Sequence, residues 1–165
     1  MAIPREALEL ENRNIGVDGE PTLADAYVIL RAKWLEGDRD RDLGLHLMFL
    51  AWYGATEPDH ITGFTKPWEE TRSELLTVFK EVHDYFAPEI GSDTEMLYVV
   101  GLIAHMQWFM LDDDMDIAKA WEKRSEEYHK QYRKLAPNGI DPEIFSNRGA
   151  YGDYFEGQAK VEGGY

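Results

Sequence analysis

The sequence predicts an all-α fold of about five helices in successive antiparallel hairpins, either a helical bundle or a short helical-repeat-like array. Three observations predict it. Residues 43–53 (LGLHLMFLAWY) and 96–111 are apolar almost throughout and rich in Leu, Met and Ala, as expected of helices buried on every side. The segments around them carry apolar residues at helical spacing, with charged residues opposite. The links between segments are short and marked by Gly, Pro or a capping Asp or Ser, as helical hairpins require.

In chain order, Pro4 opens a short helix over residues 4–12. A loop with Gly16, Gly19 and Pro21 follows, and Thr22 with Asp25 is expected to cap the next helix, whose stripe of Leu23, Tyr27, Leu30 and Trp34 ends at Gly37. Asp38 is expected to cap the central helix, which runs to about Ala55. The loop GATEPDHITGFTKP holds Glu57, Asp59 and His60, and its Pro67 opens a helix at Trp68. Leu75, Phe79, Val82 and Phe86 form the inner side of that helix, and Pro88 is expected to stop it.

Ser92 and Glu95 have the spacing of a capping box for the second apolar helix. The acidic link LDDDMD leads to a final helix with the stripe Ile117, Trp121, Tyr128, Tyr132 and Leu135, and with Lys130, Arg133 and Lys134 where they favour the helix dipole. His46 and His105 each interrupt an apolar helix, so both are expected to be buried and hydrogen-bonded. Residues 1–137 then make a single all-α domain. Residues 138–165 are a glycine- and aromatic-rich C-terminal tail, expected to pack on the domain or on a neighbouring chain, the latter making a homodimer.

A net charge of −15, from 32 acidic against 17 basic residues, repels phosphate backbones and anionic lipid, so neither nucleic acid nor a membrane is an expected partner. The chain contains no cysteine, which excludes thiolate metal sites and cysteine nucleophiles and makes a cytoplasmic location the expectation. The opening residues MAIPREALELENRN lack the basic start and apolar core of an export signal. No serine elbow, phosphate-binding loop or dinucleotide fingerprint is present, and no cofactor is expected.

Trp34 and Trp108 each open a W-x-x-x-D-x-D-x-D run, a weak internal repeat. The spaced carboxylates suggest calcium loops, but Leu43 and Ile117 stand where such a loop needs glycine, so helix capping is the better reading. His83 and Asp84, taken with an earlier His (His46 or His60) and a later Asp (Asp112 or Asp113), follow an order that resembles HD-type metal-dependent phosphohydrolases. That resemblance implies a metal held by such a set, with His83, Asp84, His60 and Asp112 the candidate ligands.

The primary expectation is non-catalytic: an acidic helical interaction or adaptor module that binds a protein or peptide through an aromatic-lined groove. Five Trp, nine Tyr and seven Phe exceed what a small core needs. Phe145, Tyr151, Tyr154 and Phe155 in the tail are the candidate binding residues. The HD-like hydrolase is the alternative, and a pocket for a small apolar ligand is the third reading.

Overall fold

The apolar run at residues 43–53 lies inside a helix in which every side chain from Leu43 to Trp52 is buried. The computed structural model describes residues 3–16, 18–65 and 68–162, and every regular element among them is helical. Eight α-helices follow in order: α1 Arg5–Arg13, α2 Leu23–Leu35, α3 Arg41–Thr56, α4 Asp59–Thr62, α5 Trp68–Ile90, α6 Thr94–Gln107, α7 Met115–Leu135 and α8 Gly149–Glu162. Short 3-10 turns occupy Trp108–Met110 and Pro142–Phe145. The all-α class holds, but about five helices is too few: α4 forms inside the 54–67 loop and α8 inside the expected tail. None of the described helices is long and apolar enough to cross a membrane.

The chain divides into two compact units, Met1–Asp84 with Asn147–Gly152, and Tyr85–Ser146 with Asp153–Tyr165. In the first unit, α2 packs on α3 and α1, and its stripe of Leu23, Tyr27, Leu30 and Trp34 is buried as the spacing predicts. Each such large side chain removed from water contributes about 1.5–3 kcal/mol. Two caps differ from expectation. Thr22 does not cap α2; its hydroxyl donates to the Leu10 carbonyl at 2.7 Å, fastening the start of α2 to α1. Asp40, not Asp38, caps α3, accepting from the amides of Asp42 (2.9 Å) and Leu43 (3.2 Å). Gly37, at φ +97°, turns the chain, and Asp40 is the last extended residue before the helix.

On α5, Leu75, Phe79, Val82 and Phe86 are buried as expected, whereas Pro67 and the side chain of Trp68 lie outside the described residues. Pro88 does not stop the helix. It sits in the last turns, where few hydrogen bonds remain to be lost, and α5 continues to Ile90.

In the second unit, α6 is buried from Glu95 to Ala104 and packs on α7. Its cap is Asp93, which accepts from Met96 N at 3.0 Å, while the Ser92 hydroxyl donates instead to the Glu89 carbonyl. His105 is exposed, contrary to expectation. The apolar run beyond it is not one helix: α6 ends at Gln107, the backbone breaks there at φ −141°, and Phe109 in the following turn is 53% exposed. The buried stripe of α7 is Ala118, Trp121, Ser125 and Tyr132, and Ile117 and Leu135 face water.

The segment from residue 138, expected as a glycine-rich tail, is largely helical. Ile140 N donates to the Tyr132 hydroxyl at 2.7 Å, and Asp141 caps the 3-10 turn by accepting from Glu143 N at 3.0 Å. Asn147 and Gly149, both at positive φ, redirect the chain into α8, along which Tyr151, Phe155 and Ala159 repeat every fourth residue and are buried. Abundant glycine hid that helical period.

Candidate functional site

The helical spacing that buries Tyr27 also leaves Ala24 and Val28 at the border of α2, beside a cleft in the first unit of about 260 Å³. Ala24, Tyr27 and Val28 supply one wall; Thr71, Glu74 and Leu75 of α5 supply the other with the same spacing. Gly63, Phe64 and Thr65 close one end.

Two glycines seat that end. Gly63 terminates α4 in the left-handed region at φ +86°, and a Cβ there would stand 2.9 Å from the Pro21 carbonyl oxygen. A Cβ on Gly54 would fall 2.3 Å from the Phe64 ring, so only glycine at that position of α3 admits the ring. Phe64 then meets Tyr27 edge to face, with centroids 5.4 Å apart.

Tyr27 is only 5% exposed, and its hydroxyl, like that of Thr71, finds no hydrogen-bond partner among the described residues. Burial, with the charge of Glu74 adding to it, pushes the Tyr27 phenol up to about 12. The phenol therefore keeps its proton at neutral pH and offers a hydrogen-bond donor. Asp25, at the opposite side from Glu74, gives the cleft a second exposed carboxylate.

Glu74 also borders a shallow groove of about 580 Å³ with Arg31, Glu70, Ser73, Thr77 and Val78. The Arg31 guanidinium is held by both oxygens of Glu81, at 3.2 and 3.1 Å, and Trp34 Nε1 donates to Glu81 at 2.7 Å. These bonds, from Arg31 above all, hold the Glu81 carboxyl below the usual carboxylate range.

The expected binding aromatics are placed elsewhere. Phe145, Tyr151 and Phe155 are fully buried. Phe145 and Phe155 pack with Tyr98 in the second unit, at centroid distances of 5.8 and 6.4 Å. Tyr151 lies in the first unit, against His46 at 4.5 Å and Phe49 at 5.9 Å. Tyr154 is half-buried, its hydroxyl 3.9 Å from the Met106 sulfur. The three buried rings therefore serve as core and present no surface to a partner.

For the metal reading, His83 is buried with Nδ1 2.9 Å from Asp84 Oδ1, and the Asp84 side chain is 76% exposed. His60 is exposed on α4. Asp112 accepts from Asp114 N at 2.9 Å. Among the described residues no group of three or more His, Asp or Glu is placed to hold a metal ion, so these four residues form no such set.

The D-x-D-x-D runs have a structural explanation. Asp38 accepts from Asp40 N and Asp40 from Asp42 N and Leu43 N; Asp112 accepts from Asp114 N and Asp114 from Asp116 N and Ile117 N. Both copies are the same two-step helix cap.

A further open groove of about 470 Å³ in the second unit is bordered by His105, Ser125, Glu126, His129 and Lys130. Burial, together with Arg133 and His105, pushes His129 below the ordinary imidazole value. The Ser125 hydroxyl donates to the Glu122 carbonyl at 2.7 Å.

Sequence reasoning missed the cleft because it read Tyr27 as core and the GATEPDHITGFTKP segment that holds Phe64 as loop. The available signal was chemical: a tyrosine on an inner stripe brings a hydroxyl that needs a partner. No protein family, curated protein or solved structure matches this chain.

Proposed function

We propose that this chain is a non-catalytic interaction module that takes a segment of a protein or peptide into the cleft between α2 and α5. The Tyr27 hydroxyl, which has no hydrogen-bond partner among the described residues, carries the reading. Leaving such a group without a bond inside a protein costs about 1–3 kcal/mol, and a ligand acceptor removes that cost. A volume of about 260 Å³ suits one inserted side chain better than a whole cofactor, and the shallow groove beyond Glu74 gives an extended chain a surface to follow. Phe64 and Tyr27 supply the aromatic lining that anchors a partner.

The test is selection of a displayed random-peptide library on the full-length protein, with counter-selection against Ala24→Phe, which fills the cleft from a border position of α2. Selected peptides are expected to bind the wild type, to shift the amide signals of residues 24–28 and 63–65, and to lose binding to the variant. Peptides that bind both proteins equally, or a library that yields none, would overturn the proposal. Binding of small apolar molecules alone at those amides would reassign the cleft to the small-ligand reading.

A further inference from the structure

We infer that the side chain the cleft takes is a neutral carboxamide, that of a glutamine, hydrogen-bonded by the Tyr27 and Thr71 hydroxyls. This rests on the peptide-binding reading and names its chemistry. Tyr27 on α2 and Thr71 on α5 line the cleft from its two walls, and each is only 5% exposed. Neither hydroxyl has a hydrogen-bond partner among the described residues. Both oxygens are shielded from solvent in the free chain, so a ligand reaches them as the lining side chains adjust, a change common when interfaces form.

Hydrogen-bonding capacity sorts the candidate side chains. Each hydroxyl brings one donor hydrogen and acceptor lone pairs. An aliphatic side chain leaves both hydroxyls as they are. An ammonium or guanidinium has no acceptor, so both hydroxyl hydrogens stay unbonded. A carboxylate accepts from both but is buried as an anion, which costs far more than burying a neutral group unless a cation pairs with it. A carboxamide is neutral; its oxygen has a lone pair for each hydroxyl hydrogen, and its nitrogen donates to a hydroxyl oxygen.

The charges around Tyr27 give no ionic ligand an advantage. After burial, which acts most on the Tyr27 phenol, Glu74 and Glu81 push it up and Arg31 pulls it down. Both signs are therefore felt at one site, and the Arg31 guanidinium is engaged by both oxygens of Glu81. The rest of the lining suits the stem of a glutamine. Ala24, Val28, Leu75 and the Tyr27 and Phe64 rings offer apolar surface to its two methylenes, with the two hydroxyls as the polar groups that fix orientation.

The probes are blocked pentapeptides of glycine with a central glutamine, methionine, glutamate or lysine; methionine matches glutamine in length and lacks its amide. Each is titrated into isotope-labelled full-length protein and followed at the amides of residues 24–28 and 63–65. The glutamine peptide is expected to bind saturably and the other three roughly tenfold more weakly, a difference of about 1.4 kcal/mol, since a site built to hydrogen-bond its ligand rejects an analogue without the bonding group. Tyr27→Phe with Thr71→Val should bring the glutamine peptide to the methionine level while leaving the rest of the spectrum in place. The comparison of glutamine with methionine on the wild type needs no variant.

Methionine binding equal to glutamine would overturn the carboxamide inference and leave the groove reading standing. Glutamate or lysine binding as tightly as glutamine would overturn it in favour of an ionic ligand. A glutamine preference that persists in the double variant would overturn it too, because the hydroxyls would not be its source. No saturable shift with the glutamine peptide would also overturn the inference, and library peptides of other chemistry bound at the same amides would still support the groove.

Discussion

His46 Nδ1 lies 2.8 Å from Glu11 Oε1, and neither side chain has exposed surface. The second oxygen of Glu11 accepts from Tyr151 N at 3.3 Å, and the Tyr151 ring lies against the imidazole. One carboxylate thus joins α1, α3 and the start of α8. Removing one member of such a pair leaves a buried polar group alone, so Glu11→Leu and His46→Leu should each cost about 3–5 kcal/mol, with the double variant well short of the sum. Denaturant unfolding of the four proteins measures the coupling. Additive losses would show that the pair does not act together.

The same carboxylate makes Gly149 hard to replace. A Cβ there would stand 2.5 Å from Glu11 Oε2, at a φ of +66° that other residues rarely adopt. Gly37 has a similar left-handed backbone at φ +97° but nothing within 4 Å of an added Cβ. Gly37→Ala should cost about 1 kcal/mol from backbone conformation, and Gly149→Ala distinctly more. Equal losses in thermal or denaturant unfolding would mean that Glu11 yields without penalty.

The paired caps at Asp40 and Asp114 account for both acidic runs without a cation. Alanine at either should lower stability by about 1 kcal/mol, and asparagine should restore most of it. Chelator or millimolar calcium should leave the melting temperature unchanged. A calcium-dependent rise that disappears in Asp114→Ala would convert that run into a metal site.

Glu81 adds a pH dependence of known sign. Arg31 and Trp34 hold its folded carboxyl below the unfolded value of about 4.3, so its contribution is present above that value and is lost as pH falls through the folded one. Glu81→Gln should therefore be less stable than the wild type at pH 7, and the gap should narrow towards pH 3. A gap independent of pH would show that the charge of Glu81 contributes nothing.

What the sequence revealed and what it hid follow from the range of the interactions. The buried helices α3 and α6 were legible because nearly every residue in their central turns is apolar, and the stripe of α2 because its period is local. Caps were misplaced by one or two residues at Asp40 and Asp93, since Asp38 and Ser92 are chemically as able to cap and only backbone dihedrals decide. His46 and His105 looked alike in sequence, each a lone imidazole in an apolar run. One meets Glu11 on a helix 35 residues away and the other passes the end of a buried stretch into solvent. The cleft was hidden for the same reason: Tyr27, Phe64 and Thr71 belong to three elements, and periodicity within an element does not say which elements meet.

The central claim is that the Tyr27 and Thr71 hydroxyls are idle in the free chain and serve a ligand. The most direct measurement is the unfolding free energy of Tyr27→Phe, and of Tyr27→Phe with Thr71→Val, each against the wild type without ligand. Removing a buried hydroxyl that has no partner leaves stability unchanged or raises it by up to about 1 kcal/mol. That is the result the account predicts, together with loss of peptide binding by the same variants. A loss of more than about 1 kcal/mol in the free protein would contradict it, because the hydroxyls would then be bonded within the fold and would not be waiting for a ligand.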